Sequence, residues 1–178
     1  RFGALLADLA SPEILVLALL LHDVGKWRDE DHHLESVRMA QVVMDRLALS
    51  DETRATLEFL IQHHIAMSLV AFRRDTEDPE IVKTFADLVG TEERLTMLTL
   101  LTLVDVGAVS PDTLTPWREE LLWRLYVDTY NRLTLEYGDD VITEGRVDLT
   151  DLLAGRPRRL AEAEIRRFVA GLPRRYLQ

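Results

Sequence analysis

Apolar residues recur at intervals of three and four along nearly the whole chain, and strict two-residue alternation is scarce, so the pattern predicts an all-α domain. The first strong segment opens at Ser11-Pro12-Glu13, a serine placed to cap and a proline at the first helical position. The run Ile14 to Leu21 carries it to about Asp23, where Gly25 ends it, so His22 falls at the C-terminal end of a fully apolar helix. Residues 27–33 are charged and lack a core-facing pattern, which reads as a loop. Val37, Ala40, Val43, Met44 and Leu47 then mark a second long helix. Ser50-Asp51-Glu52-Thr53 starts another, running to His64 or Met67, its acidic residues suited to the positive end of the helix dipole. Asp78-Pro79 opens a segment through Ile81, Val82, Phe85 and Leu88 that stops at Gly90. Thr91-Glu92-Glu93 begins a strongly apolar one through Leu95, Leu98, Leu101 and Leu103 to Asp105 and Val106. Pro111 and Pro116 mark a loop, and 117–137 forms a last long helix with Leu121, Leu122, Leu125, Tyr126 and Leu133 inward.

Beyond residue 137 the pattern changes. Residues 138–157 are rich in Gly, Asp, Thr and Arg and read as a linker or strap, and 158–178 regains helical spacing through Ala161, Ile165, Phe168, Val169 and Leu172 in a locally basic stretch. The division expected is a domain over 1–137, a connection over 138–157 and a C-terminal helix over 158–178. Arg1 lies in what reads as mid-helix, with no initiator methionine or targeting signal, so the sequence is expected to be a piece of a longer protein.

Composition narrows the chemistry. The 178 residues, 47% of them apolar, are enough for one packed core. A formal charge of −10 works against a face built to lie along nucleic-acid phosphates, so no nucleic-acid partner is expected. The stretch Ile14 to Leu21 is too short to span a bilayer, so no membrane association is expected either. With no cysteine, disulfides, thiolate metal sites and cysteine nucleophiles are excluded, and any metal must be held by histidines and carboxylates. This suits a cytoplasmic protein.

All five histidines fall in three tight clusters: His22 beside Asp23, His32 with His33, and His63 with His64. A His-Asp dipeptide at the end of an apolar helix is costly to bury without partners. The two residues either bond each other and nearby backbone or share a metal. Asp105, also at the end of an apolar run, adds a third ligand type from a separate helix, an arrangement that metal sites in helical bundles use. His and carboxylate donors suit a first-row divalent ion (Mn, Fe, Co, Ni or Zn), or Mg where oxygen dominates.

His22-Asp23-Val24-Gly25-Lys26 resembles the signature of the HD superfamily of metal-dependent phosphohydrolases, in which the His-Asp pair and a distant aspartate, here Asp105 in Leu103-Val104-Asp105-Val106, bind the metal. The longer string of Asp31-His32, His64-Ile65-Ala66-Met67-Ser68, Arg73-Arg74-Asp75, Asp78-Pro79 and Phe85-Ala86 is similar to the hydrolase domain of bifunctional PII uridylyltransferase/uridylyl-removing enzymes. The likeness continues through Arg94-Leu95, Trp117, Leu121-Leu122 and Leu125-Tyr126, weakens after about Leu135, and returns at Leu172-Pro173-Arg174-Arg175-Tyr176.

The resemblance implies an HD-type helical bundle with the metal site in its core. It implies one or two ions, Mn or Mg first among them, with His22, Asp23 and Asp105 on one, His32 and His64 on a second, and Asp23 bridging. It further implies hydrolysis of the phosphodiester between UMP and a tyrosine of uridylylated PII protein, inside a parent chain that also carries a nucleotidyltransferase domain and regulatory ACT domains. Lys26 either offsets charge on a phosphate oxygen or is an ordinary solvated lysine after a helix end. Arg73 and Arg74 contact the substrate phosphate or pair with Asp75 or Asp78. His33 and His63 are expected to be solvent-facing or structural. Two features depart from the pattern. The superfamily's first metal-binding histidine has no counterpart between Arg1 and Leu21, and the loop before Asp31-His32, glycine-rich in relatives, reads Trp27-Arg28-Asp29-Glu30. Two competing readings use the same residues: an HD hydrolase of small nucleotides, and a regulatory HD module without catalysis.

Overall fold

The computed structural model describes residues 1–27, 32–110 and 112–144, with side chains up to Thr134 apart from that of His32. The described residues hold eight helices and no strand: α1 Phe2–Ala7, α2 Pro12–Leu21, α3 His32–Arg46, α4 Asp51–His63, α5 Ala66–Arg73, α6 Pro79–Val89, α7 Glu92–Val109 and α8 Pro116–Glu144. This is an all-α bundle, in keeping with the HD type. Two compact units divide the chain, Arg1–Tyr137 and Gly138–Gln178.

The first unit is organised around α7, against which α1, α2, α4, α5 and α6 all pack. Leu95, Met97, Leu98, Leu100 and Leu101 are buried on several sides of α7, as expected of a helix surrounded by others. Thr99 is fully buried there because its hydroxyl donates to the Leu95 carbonyl at 2.7 Å, which removes the penalty of an unsatisfied polar group. Beyond Glu13 in its first turn, helix α2 is apolar on every side. Ile14, Leu15 and Ala18 are buried, whereas Val16 and Leu20 face out. No single described helix is long and apolar enough to cross a membrane. The α4–α5 pair passes on composition only if taken together, yet it bends by 42° and buries Leu57, Leu60, Ile61 and Met67 in the core.

Helix boundaries follow the sequence closely where local chemistry sets them. The Asp78 carboxylate accepts from the Glu80 amide at 2.9 Å, with Pro79 in the first turn. Gly90 closes the same helix at φ 74°, a left-handed conformation that favours glycine. Ser50 and Thr91 likewise cap α4 and α7.

Elsewhere the structure corrects the expectation. Ser11 precedes α2, but its side chain makes no capping bond. Helix α2 ends at Leu21 rather than Asp23, because the chain turns at His22 and the Gly25 amide is taken by a side chain of α3. Helix α3 begins at His32, inside the expected loop. Of the two ends expected for the helix from Ser50, the nearer holds: α4 stops at His63 with His64 as its C-cap, where the His64 ring claims the Ile61 carbonyl, and Ala66–Arg73 form a separate helix. Helix α7 runs a turn further, to Val109, and α8 continues through Gly138 to Glu144, so the strap expected from 138 begins as helix. The rest of that strap and the C-terminal helix over 158–178 lie outside the described residues.

Candidate metal centre

Three helices bring ionisable groups to one place. His22 is the C-cap residue of α2, followed by Asp23, and His64 is the C-cap residue of α4. Asp105 lies on α7, one turn beyond the buried Thr102. A nitrogen or oxygen from each of His22, Asp23 and His64 falls within 4.8 Å of the other two. The His22 Nε2 stands 3.7 Å from Asp23 Oδ2 and 3.5 Å from Asp105 Oδ1, and the His64 Nε2 stands 3.8 Å from Asp23 Oδ1. Asp23 thus faces both imidazoles, one with each oxygen.

Both rings are held from behind by their own helices. The His22 Nδ1 lies 2.9 Å from the Leu19 carbonyl and the His64 Nδ1 lies 2.7 Å from that of Ile61. A carbonyl only accepts, so Nδ1 carries the proton in each ring and Nε2 is turned to the carboxylates. Backbone carbonyls of this kind fix the tautomer and orientation of metal-binding histidines. The Nε2–carboxylate separations exceed hydrogen-bond length. Ligand atoms about 2.1 Å from a common ion would lie about 3.0 Å apart in octahedral and about 3.4 Å apart in tetrahedral arrangement. The Nε2–carboxylate separations of 3.5 to 3.8 Å are slightly wider than either, and the donor set of two imidazoles and a carboxylate, with a second carboxylate beside them, fits a divalent cation.

The electrostatics agree. The Asp105 carboxylate raises the His22 pKa above the ordinary histidine value, against burial. The same contact lowers Asp105. Burial pushes Asp23 upward, but the hydrogen bond from Lys26 and the charges of His22, Lys26 and His64 together hold it below the usual carboxylate range. Burial lowers His64, which keeps it neutral and able to donate a lone pair.

Lys26 donates to Asp23 Oδ2 at 2.7 Å, with its side chain 69% exposed. His33, expected to be solvent-facing or structural, is half-buried with its ring centre 4.8 Å from that of His64. His32 occupies the first turn of α3, and its side chain lies outside the description. His63 packs on Phe59 with ring centres 5.1 Å apart, and burial lowers its pKa. Arg73 and Arg74 end α5, exposed and without an ion pair among the described residues. The structure does not link them to the cluster.

Two buried hydroxyls support the cluster, and neither stands out in the sequence. The Ser36 Oγ accepts from the Gly25 amide at 2.9 Å, and the Thr102 hydroxyl reaches the His64 carbonyl at 3.4 Å.

No protein-family model matches the chain, and no solved structure matches it. Curated relatives do. The chain is 42% identical over 135 residues to the bifunctional uridylyltransferase/uridylyl-removing enzyme of Ruegeria pomeroyi, covering 75% of this chain and 15% of that protein. It is 41% identical over 129 residues to the enzyme of the same name from Cereibacter sphaeroides, covering 72% and 14%. The corresponding Azospirillum brasilense protein is 41% identical over 116 residues, covering 65% and 12%. The match therefore spans about one seventh or less of these relatives. On this evidence the chain is homologous to one segment of the bifunctional uridylyltransferase/uridylyl-removing enzymes.

Proposed function

We propose that this chain is a uridylyl-removing segment, a metal-dependent phosphodiesterase that releases UMP from a tyrosine of uridylylated PII protein. The observation that carries the reading is the convergence of His22, Asp23 and His64, with both imidazoles fixed through Nδ1, in a chain homologous to enzymes named for uridylyl removal. His22, Asp23 and Asp105 would hold one ion, and His32 and His64, together with Asp23, would hold a second. Mn or Mg is the expected metal. The chemistry such an ion supplies is a water acidified towards neutrality and positive charge beside phosphorus.

The remaining work falls to the chain. The Leu19 and Ile61 carbonyls hold the two imidazoles, and Asp23 and Asp105 present carboxylate oxygens to their Nε2 side. Lys26, tethered by Asp23 but largely exposed, would offset charge developing on a phosphate oxygen. The leaving phenolate has a parent pKa of about 10, so no strong general acid is required. Arg73 and Arg74 are weaker candidates for the substrate phosphate. Residues 1–137 form the hydrolase unit in this reading, with 138–157 and 158–178 leading towards regulatory ACT domains. The parent chain, cytoplasmic, would also carry the nucleotidyltransferase.

The test is UMP release from uridylylated PII, with and without chelator, by the protein carrying this chain, alongside His22→Ala and Asp105→Ala. Metal-dependent release abolished in both variants supports the reading. Hydrolysis of small nucleotides without release from the protein adduct, or metal binding without any hydrolysis, overturns it.

A further inference from the structure

The turn that carries Asp23 and Lys26 is built mostly from its own backbone. The His22 amide donates to Ala18 at 2.8 Å, that of Val24 to Leu21 at 3.4 Å and that of Lys26 to Asp23 at 3.0 Å. The Gly25 amide is different. It leaves the turn and donates to the Ser36 hydroxyl at 2.9 Å, eleven residues away on α3. Gly25 is buried and Ser36 is completely so, which shields the bond from water and from competing donors.

We propose that Ser36 is a positioning residue for the metal centre, setting where the Asp23–Lys26 turn stands relative to α3. The inference rests on the metal-centre reading above. Ser36 follows His33 by three residues and His32 by four, the spacing that keeps residues on one helix face. The His33 ring, from that first turn, lies against His64. One hydroxyl therefore ties the segment bearing Asp23 to the helix whose His33 ring lies against His64. Without it the Gly25 N–H is buried with nothing to accept it, and the turn must shift to reach water. Asp23 Oδ1 and Oδ2, now 3.8 and 3.7 Å from two fixed imidazoles, would move with the turn while the imidazoles stayed, because those are pinned to α2 and α4. Outer partners of this kind typically change metal affinity by about 10- to 100-fold.

The experiment measures Mn²⁺ affinity and Gly25 amide hydrogen exchange on the full chain for wild type, Ser36→Ala, Ser36→Thr and Ser36→Cys. Thr129→Ala is the control, since the Thr129 hydroxyl is equally buried but serves only the Leu125 carbonyl of its own helix. Expected is a loss of Mn²⁺ affinity of about 10- to 100-fold in Ser36→Ala with fast Gly25 exchange. Recovery is expected in whichever of Ser36→Thr and Ser36→Cys folds, and Thr129→Ala should lose stability at unchanged affinity. Wild-type Mn²⁺ affinity in a folded Ser36→Ala, or an equal loss in Thr129→Ala, overturns the proposal, as does unchanged Gly25 protection. If wild type binds no Mn²⁺, the metal-centre reading fails and the positioning role fails with it; the exchange data then decide only whether Ser36 anchors the turn.

Discussion

Replacing Asp23 by asparagine preserves the side chain's size and removes the one group that faces both imidazoles. The metal-free protein should tolerate the change, because the hydrogen-bonded partner Lys26 is largely exposed, such pairs contribute about 0–1 kcal/mol, and the His22 and His64 nitrogens stand beyond hydrogen-bond length. Cation binding should not tolerate it. Taking a loss of about 100-fold, the upper end for outer-shell partners and so a floor for a direct ligand, sets the scale. At a Mn²⁺ concentration of 100 times the wild-type dissociation constant, the ion stabilises wild type by about 2.7 kcal/mol; for the variant the same concentration equals its dissociation constant and adds only about 0.4 kcal/mol. The unit Arg1–Tyr137 contains 137 residues. At about 2.1 cal/mol/K per residue its unfolding entropy is about 0.29 kcal/mol/K, so the difference of about 2.3 kcal/mol corresponds to about 8 °C in melting temperature. Differential scanning calorimetry of both proteins, with Mn²⁺ and with chelator, reads this directly. An Asp23→Asn protein whose Mn²⁺-induced rise equals that of wild type would refute the placement of Asp23 at the centre.

Other expectations follow from the same geometry. In the metal-free protein the pKa of His22 is raised above 6.5 and that of Asp105 lowered below 3.8. The His22 contribution is complete below its unfolded value and disappears as pH rises through the folded one, whereas that of Asp105 is complete above its unfolded value and disappears as pH falls through the folded one. Stability from the pair is therefore greatest between about 3.8 and 6.5, and Asp105→Asn should flatten that maximum in urea titrations run with chelator; an unaltered profile would contradict the contact. Gly90→Ala should cost about 1–2 kcal/mol from backbone strain alone, since a Cβ there meets nothing within 4 Å, and leave Mn²⁺ affinity unchanged.

The sequence reveals most where short-range chemistry decides the structure. Helix α6 could be bounded from Asp78-Pro79 and Gly90 because cap, proline and left-handed glycine act within a few residues. The end of α4 was legible only as one of two places, His64 or Met67, since apolar spacing continues to the buried Met67 and the ring's bond to the Ile61 carbonyl marks the nearer one. The extension of α8 past Gly138 was hidden for a different reason: the Gly- and Asp-rich composition there resembles a linker. At the candidate site, His22 and Asp23 drew notice as polar neighbours at an apolar helix end, and Asp105 as a carboxylate in an apolar run. The nearness of His33 to His64 depends on where α3 starts, which no local pattern showed. Ser36 passes for any serine in an amphipathic helix until its hydroxyl is seen under the Gly25 amide.

Both histidines of the cluster sit where a helix ends, His22 on α2 and His64 on α4. The carbonyl ends of α2 and α4 meet the first turns of α3 and α5 there, so the helix fields oppose one another and the carboxylates of Asp23 and Asp105 set the sign. Such a place draws cations and repels phosphate. An anionic substrate is consequently expected to bind only after the ion, in compulsory order. Inorganic phosphate should then bind measurably in the presence of Mn²⁺ and not in chelator, and equal binding in both would show that the two carboxylates do not govern access.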